Sequence, residues 1–458
     1  MSTEKHSIVY NDWACRNPNA VPATNTGEDV PKSALPNTHT KWITIGLLWF
    51  VFLFNYADRQ AIFSLFPLIK TEMHLTDVQL GILGSCFMWM YALCGPFTGW
   101  ITDRFSRKWL ILGSLIFWSA VTGATAIADT YQSMIWCRAL GGLGEAFYFP
   151  AAMSILSDYH GPTTRSRAMS LHQTAVYAGS IAGGTISALV GQQSGWRSSF
   201  IFFGGCGIAL GIVLMFLLRE PRRGQSELAA DSQPLKTSTA QALREILGNR
   251  MVLLLIVIFM GANFVAVVFL TWLPTFLYKK FHMSLSMAGL NASLYLQAAS
   301  FLGVLCGGYL ADRFSRHRGG GRQLTQAIGL LLGAPFLFLT GWTLSIPVLV
   351  LAMIGFGYFK GLYDANIIAS IYDVVAIQNR GTAAGIANSL GWLGGGLAPI
   401  IIALGSAKFG MSACISATAA IYLVIGLLTL LASRRLRDTH SPIDAVTPLW
   451  PATDTSEI

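Results

Sequence analysis

Four stretches of this chain are long, apolar and free of charge, and they limit the folds open to it more than any other feature. They are residues 109–128, 168–196, 251–278 and 409–433. About 20 predominantly apolar residues cross the hydrocarbon core of a bilayer. Of all residues 53% are hydrophobic and 12% are charged, whereas soluble domains carry roughly 25% charged residues. The sequence therefore predicts an all-α membrane protein and argues against a water-soluble enzyme.

Apolar segments recur along the chain and predict twelve transmembrane spans. The predicted spans are residues 42–70, 78–102, 109–128, 131–157, 167–192, 197–218, 250–278, 285–311, 323–342, 346–376, 380–407 and 410–433. Of the 31 Lys and Arg residues, 19 fall in one set of alternating loops and 5 in the opposite set. By the positive-inside rule the first set is cytoplasmic, so both termini lie in the cytoplasm. We expect a multi-pass protein of the plasma (inner) membrane.

An internal repeat divides the spans into two halves. The run Gly99-Trp-Ile-Thr-Asp103-Arg-Phe-Ser-Arg-Lys recurs 209 residues later as Gly308-Tyr-Leu-Ala-Asp312-Arg-Phe-Ser-Arg-His. Six spans restore the starting side of the membrane, so the halves are parallel repeats with a substrate site expected at their interface. The predicted organisation is a disordered cytoplasmic tail (1–40), a six-helix bundle (41–218), a cytoplasmic linker (219–249), a second six-helix bundle (250–434) and a cytoplasmic tail (435–458).

The repeated loop predicts a gate. The C-terminal end of a helix is negative, so Asp103 is unfavourable at the cytoplasmic end of span two unless a positive group faces it. A positive group that does so in one conformation only would make the loop a latch. An ordinary positive-inside loop is the other interpretation, and the repetition of the motif favours the latch. The predicted gating residues are Asp103, Arg104, Arg107, Asp312, Arg313 and Arg316.

Ionisable residues inside the spans are few, and a charge at the bilayer centre costs about 2.5–3.5 kcal/mol on insertion scales. Arg59 cannot lose its proton, so it requires an anion, and its planar fork fits a carboxylate. We predict that Arg59 binds the substrate. Glu145 lies among small and apolar residues; burial favours its neutral form and a nearby Arg59 favours its charged form.

Glu145 is therefore the predicted proton-coupling residue, and Asp58 is a second candidate for that role. A permanent structural ion pair between Arg59 and Glu145 is the alternative. Lys360 and Asp364 are four residues apart and can meet on one helix face. They form either a self-neutralised second ion pair or a further substrate or proton site.

The latch run and the Arg138-x-x-x-Gly-x-Gly sequence of span four are similar to signature motifs of the major facilitator superfamily, and the resemblance covers about residues 42–434. Within that superfamily, Asn55-Tyr-Ala-Asp-Arg59 and Gly142-Leu-Gly-Glu-Ala146 resemble the anion:cation symporter family, which carries sugar acids and other organic anions. Glu145-Ala146 and Trp118-Ser119 also resemble Spinster-type lysolipid transporters.

The resemblance implies further substrate-binding residues in spans one, two, five and eleven. Tyr56, Tyr91 and Gln173 match the tyrosines and the amide of the symporter family, and Asn388 matches less closely. The function so predicted is proton-coupled symport of a small organic anion, such as a sugar acid, by alternating access. A Spinster-like transporter of lysolipid is the alternative, and a transporter-like sensor is a third class.

The sequence contains none of three motifs that would indicate nucleotide binding, metal-dependent catalysis or a catalytic serine. We find neither a phosphate-binding Gly-x-x-x-x-Gly-Lys loop, nor a His-Glu-x-x-His metal helix, nor a Gly-x-Ser-x-Gly nucleophile turn. We therefore expect no enzyme activity, no metal and no cofactor. The expected partners are an anionic small molecule, protons and the bilayer, with the chain acting as a monomer. Nucleic acid is not expected, because the basic residues mark one side of a membrane rather than one face of a domain.

Overall fold

A computed structural model describes residues 38–223, 239–317, 319–376 and 379–439. These residues form α-helices joined by short turns, and no strand occurs among them. Most of the predicted N-terminal tail, part of the linker and most of the C-terminal tail lie outside the described residues. The helix of span twelve runs past its predicted end, to Thr439, and a helix at Thr239–Gly248 lies within the predicted linker.

The helices follow the predicted spans closely. The first six spans are Thr38–Glu72, Asp77–Arg104, Arg107–Thr125, Tyr131–Glu145 with Tyr148–Tyr159, Pro162–Ser194 and Trp196–Leu217. The last six are Arg250–Lys280, Leu285–His317, Gly321–Trp342, Ile346–Asp364 with Ile367–Tyr372, Arg380–Gly395 with Ala398–Phe409, and Met411–Thr439. Spans four, ten and eleven are thus interrupted by a short break.

Within the described ranges, eleven helical segments are long and apolar enough to cross a membrane. The remaining span, span three at Arg107–Thr125, is short at 19 residues and begins with two charged residues that lower its mean hydropathy. The prediction of an all-α protein with twelve transmembrane helices is confirmed.

Local sequence fixes where several spans begin. Thr76 and Thr130 each accept a hydrogen bond from the backbone amide three residues later, at Gln79 and Ser133. The side chains of Gln79 and Ser133 in turn accept hydrogen bonds from the backbone amides of the two threonines. Asn249 accepts hydrogen bonds from the backbone of Met251 and Val252. Such caps satisfy amide groups that the first turn of a helix leaves without partners.

The two halves pack together on the side of the membrane opposite the arginine-rich loops. We call the side with those loops the basic side and the other the opposite side. Gln60 Nε2 donates to the Leu270 carbonyl at 3.0 Å, and the Ser286 amide donates to Gln192 Oε1 at 3.0 Å. A Cβ at Gly81 would lie 2.7 Å from the Pro399 carbonyl oxygen. Spans two and eleven are therefore in backbone contact there.

The same two spans separate toward the basic side. A Cβ at Gly95 would lie 3.0 Å from Ser389 Oγ. One helical turn further, Gly99 and Gly385 lie on the same two faces, because residues four apart share a helix face. Among the described residues, no heavy atom lies within 4 Å of a Cβ built at either position. The space between the halves thus opens to the basic side and closes toward the opposite side.

Candidate functional site

A buried ion pair between spans one and four is the centre of the candidate site. Arg59 Nε donates to Glu145 Oε2 at 2.5 Å, and the two residues are 8% and 3% exposed. Among the described residues, no acceptor is hydrogen-bonded to the two terminal nitrogens of Arg59. The guanidinium therefore keeps the two donors that a bidentate contact to a carboxylate requires.

Glu145 owes its position to the break in span four. The first helix of the span ends at Glu145, and the second begins at Tyr148. One turn before Glu145, a Cβ at Gly142 would overlap with the Phe87 carbonyl oxygen. Only glycine allows span four to approach span two this closely, and the close approach carries Glu145 to Arg59.

Aromatic rings surround the Arg59 guanidinium. Its central carbon lies 4.4 Å from the Tyr91 ring centre, 5.0 Å from Tyr56 and 5.2 Å from Phe87. The Trp392 ring of span eleven lies at 5.5 Å. Each ring face attracts a cation, by about 0.5–2 kcal/mol depending on solvation. We call these four rings the aromatic cage; it offsets part of the cost of burying the arginine and includes a residue of the second half.

Asp58 and Arg138 extend the cluster away from the cage. Arg138 is 8% exposed, its guanidinium lies 4.6 Å from the Phe87 ring centre, and its Nε and Nη2 atoms have no hydrogen-bond partner among the described residues. Asp58 Oδ2 accepts from Thr122 Oγ1 at 3.5 Å. Arg138 lies over the same Phe87 ring as Arg59, and Asp58 is the residue before Arg59 in the chain. Two acids and two arginines thus form a cluster that is neutral when all four are charged.

The remaining predicted substrate residues, Asn388 and Gln173, are not buried. Asn388 is partly exposed and lies four residues before Trp392, so both occupy one face of span eleven. Gln173 is exposed and lies one turn from Tyr177 on span five, toward the basic side. Neither residue touches the Arg59 guanidinium in the way that Tyr56 and Tyr91 do.

Lys360 and Asp364 form an ion pair on span ten. The side chains are 16% and 32% exposed, respectively. Asp364 is the last residue of the first helix of its span, just as Glu145 is in span four. The two carboxylates therefore occupy matching places beside the breaks in the two halves.

In the first predicted latch, the buried residue is Arg107. Its guanidinium pairs with Asp158, and its backbone amide donates to Glu220 Oε1 at 2.8 Å. Ser106 also donates to Glu220, and Arg104 stacks on the Trp100 ring. The Asp103 side chain is exposed and forms no ion pair among the described residues.

Residues just after span six complete that loop, and the sequence analysis missed them. Arg223 donates to the carbonyls of Thr102, Asp103 and Phe105 at the end of span two. Burial alone would raise the pKa of Glu220, but hydrogen bonds from Ser106 and Arg107 outweigh burial and lower it. The adjacent charges of opposite sign at Arg219-Glu220 were the available signal.

The second loop is built differently. Asp312, Arg313 and Arg316 are exposed and line a cavity of about 290 Å³ together with Tyr309. Asp373, which matches Asp158 in the repeat, pairs with Arg322 rather than with Arg316. The two loops therefore share a motif but not their ion pairs.

Similarity to known proteins identifies the family of this chain. A family model described as Major Facilitator Superfamily matches residues 48–320 and 276–453. A bacterial homolog of the human lysosomal transporter Spinster, solved in an inward-facing and unoccupied conformation, shares the fold. Its TM-score is 0.76 at 21% identity, over 89% of this chain and 100% of that one.

Curated relatives are transporters of several kinds. The chain is 29% identical to the uncharacterized transporter YybO of Bacillus subtilis (60% of this chain, 66% of that protein) and 28% identical to Protein spinster of Drosophila melanogaster (80% and 61%). It is 25% identical to the probable galactarate/D-glucarate transporter GudP of Escherichia coli (79% and 86%). The chain thus covers less than two thirds of the length of YybO and of Protein spinster. Because the family model covers most of its length, the chain belongs to the Major Facilitator Superfamily and is a multi-pass membrane protein.

Proposed function

We propose that this transporter carries a small organic anion, a sugar acid or another carboxylate, in symport with protons. The observation that supports this most is the buried Arg59–Glu145 pair, with two guanidinium nitrogens free of hydrogen-bond acceptors among the described residues. The similarity to a probable galactarate/D-glucarate transporter agrees with an acidic sugar as the substrate.

The charge of Glu145 controls how strongly the site attracts an anion. With Glu145 ionised, the pair is neutral and Arg59 offers little net attraction. With Glu145 protonated, the guanidinium is left uncompensated, and a carboxylate at 4 Å gains about 4 kcal/mol at an effective dielectric constant of 20. Proton and anion therefore favour each other's binding, which is the requirement for symport.

Alternating access follows from the arrangement of the halves. Trp392 of the second half covers the arginine of the first half, so the site changes shape when the halves move. We propose that the basic side, with its arginine-rich loops, is the cytoplasm and that the membrane is the plasma membrane. Substrate and proton then leave through the open basic side and enter when the opposite side opens.

Glu145→Gln tests the coupling in proteoliposomes. Glutamine imitates the protonated carboxyl permanently, so exchange of labelled galactonate across the membrane should remain. Uphill accumulation driven by a pH gradient should be lost, because a ligand drives a conformational equilibrium only through a difference in affinity between the states. Asp58→Asn and the double variant are measured alongside, because Asp58 could carry the proton in place of Glu145. Full pH-driven accumulation by all three variants would exclude proton coupling through these residues.

A Spinster-like transporter of lysolipid is the second candidate. The 28% identity to Protein spinster over 376 residues favours it. A lysolipid would need room for its acyl chain beside the polar cluster, and Phe149, 36% exposed near the break in span four, offers an apolar surface there. A thermal-shift screen with galactonate and a lysophosphatidylcholine separates the two, because the true substrate class should raise the unfolding temperature.

A further inference from the structure

One face of span eight changes its chemical character along its length. Leu302, Leu305 and Tyr309 are exposed there, and the exposed Arg313 and Arg316 follow on the same face. Steps of three and four residues keep side chains on one face of a helix. The face therefore runs from leucine through tyrosine to arginine toward the basic side. This order matches one leaflet of a bilayer, from the acyl chains through the aromatic belt to the headgroups.

The other face of span eight packs on span ten. A Cβ at Gly303 would overlap with the Tyr358 carbonyl oxygen, and a Cβ at Gly307 would lie 2.8 Å from the Cα of Leu362. The face that carries the leucines and arginines is thus turned away from span ten. Exposed leucines suit lipid acyl chains and are unsuited to a water-filled passage.

The arginine end of this face contains a cavity of about 290 Å³, lined by Tyr309, Asp312, Arg313 and Arg316. A water molecule takes up about 30 Å³ in the liquid, so the cavity has room for a group several times larger. Among the described residues, neither arginine forms an ion pair with the aspartate, and Asp373 is already paired with another arginine. Two arginines and one aspartate leave one net positive charge in the lining.

The matching arginines of the first half already have partners. Arg107 is buried, and its guanidinium pairs with Asp158. The Arg104 guanidinium lies over the Trp100 ring, 3.9 Å from the ring centre. Repetition of the motif has therefore kept two cations in the second loop without the contacts that occupy them in the first.

The turn after span eight holds the end of that helix in place. Gly320 has a φ of 72°, in the left-handed region that favours glycine. A Cβ at Gly321 would overlap with the backbone nitrogen of Ser315, and Ser433 of span twelve donates to the Gly320 carbonyl at 2.8 Å. The backbone that carries the two arginines is thus ordered before a ligand arrives, which lowers the entropic cost of binding.

We propose that this cavity binds the phosphate of an anionic phospholipid, whose acyl chains lie along Leu302 and Leu305. The planar forks of Arg313 and Arg316 fit phosphate oxygens. Asp312 can accept a hydrogen bond from a headgroup hydroxyl, which phosphatidylglycerol carries and phosphatidylcholine lacks. A soluble phosphate would use the arginines but would leave the leucines without a role, so the whole face favours a lipid.

Native mass spectrometry of the purified, delipidated protein tests the proposal. It measures the affinity for the first bound dioleoylphosphatidylglycerol and, separately, for dioleoylphosphatidylcholine. We expect the wild type to prefer phosphatidylglycerol. Arg313→Gln combined with Arg316→Gln should weaken phosphatidylglycerol about tenfold and change phosphatidylcholine by less than about twofold.

Further variants separate the charge from the fold. Arg313→Lys combined with Arg316→Lys keeps both charges and should retain most of the affinity for phosphatidylglycerol. Arg104→Gln removes the matching arginine of the first loop and should change that affinity by less than about twofold, because the Trp100 ring already occupies its guanidinium. Both arginines of the cavity are exposed, so the glutamine variant should unfold at the wild-type temperature in neutral detergent.

Soluble phosphates distinguish a lipid from a free anion. Glycerol 3-phosphate carries the headgroup phosphate without acyl chains, and an excess of it or of inorganic phosphate should displace little phosphatidylglycerol. Ready displacement by either would overturn the lipid assignment and give the cavity to soluble phosphates. Unchanged phosphatidylglycerol affinity in the glutamine variant, or an equal loss in the glutamine and lysine variants, would overturn the site itself.

Discussion

Arg59 holds a charge that it cannot lose inside a membrane span, and its neighbours explain how the fold tolerates it. Glu145 compensates the charge, and the aromatic cage shields it from the bilayer. The pairing between spans one and four could be predicted because few ionisable residues lie in the spans. The cage could be predicted only in part, since nothing in the sequence near Trp392 indicates that it faces span one.

Replacement of Arg59 by lysine tests whether the guanidinium itself binds the substrate. Arg59→Lys keeps the positive charge but cannot make a planar, two-point contact to a carboxylate. A hydrogen bond to a charged group contributes about 1.5–3 kcal/mol, so galactonate affinity should fall by about 10-fold to 100-fold. Isothermal titration calorimetry measures this.

Arg197→Lys is the control for that exchange. Arg197 lies on the opposite side, where it pairs with Glu72 and Asp129 away from the cage. The Arg197→Lys substitution should leave the affinity for galactonate unchanged. Wild-type affinity in Arg59→Lys would mean that Arg59 serves only to hold Glu145.

The broken helices of spans four and ten are the elements that position the site. The predicted ranges 131–157 and 346–376 treat each span as continuous, yet the chain breaks after Glu145 and after Asp364. Periodicity and hydropathy reveal that a segment crosses the membrane but carry little information about a two-residue break. The contact of Gly142 with the Phe87 carbonyl is equally invisible in the sequence, because it joins two spans.

Gly142→Ala tests that contact. The added methyl group would overlap with the Phe87 carbonyl oxygen, so span four must move away from span two. Overpacking of this kind costs about 1–3 kcal/mol. We expect a lower unfolding temperature and a loss of transport, because Glu145 moves with the helix.

Gly113→Ala provides the matched control. Gly113 lies within the helix Arg107–Thr125, and no heavy atom of the described residues would lie within 4 Å of a Cβ there. Alanine is the better helix former, so stability should not fall. Equal behaviour of the two variants would show that the approach of spans two and four does not depend on glycine.

At the scale of the whole molecule, an ionic contact helps to hold the opposite side closed. Asp77 Oδ1 lies 2.5 Å from Lys70 Nζ in the first half and 3.8 Å from Lys279 Nζ in the second. The sequence predicted the two halves from their repeat, but not which side would be closed. That depends on contacts between distant spans, which a repeat does not encode.

Asp77→Asn should shift the equilibrium toward the form that is open on the opposite side. Exposed ion pairs contribute up to about 1 kcal/mol, which limits the change in the ratio of conformers to about fivefold. Spin labels at Gln193 and Ser345 should move apart, and labels at Phe105 and Gly381 should approach each other. Pulsed electron resonance on the reconstituted protein measures both distances.

Asp129→Asn is the control, since Asp129 pairs with Arg197 within the first half. It removes one carboxylate from the same side of the membrane and should leave both label distances unchanged. If Asp77→Asn behaves in the same way, the closure of the opposite side does not depend on this contact.

The separation of spans two and eleven at Gly99 and Gly385 also has a pharmacological consequence. In this conformation the two spans stand apart on the basic side and touch on the opposite side. A blocker that cannot cross the bilayer and is applied from the opposite side would reach Arg59 only during the fraction of the transport cycle in which that side is open. Its potency would then rise with turnover, whereas a membrane-permeant blocker would act equally well on a resting carrier.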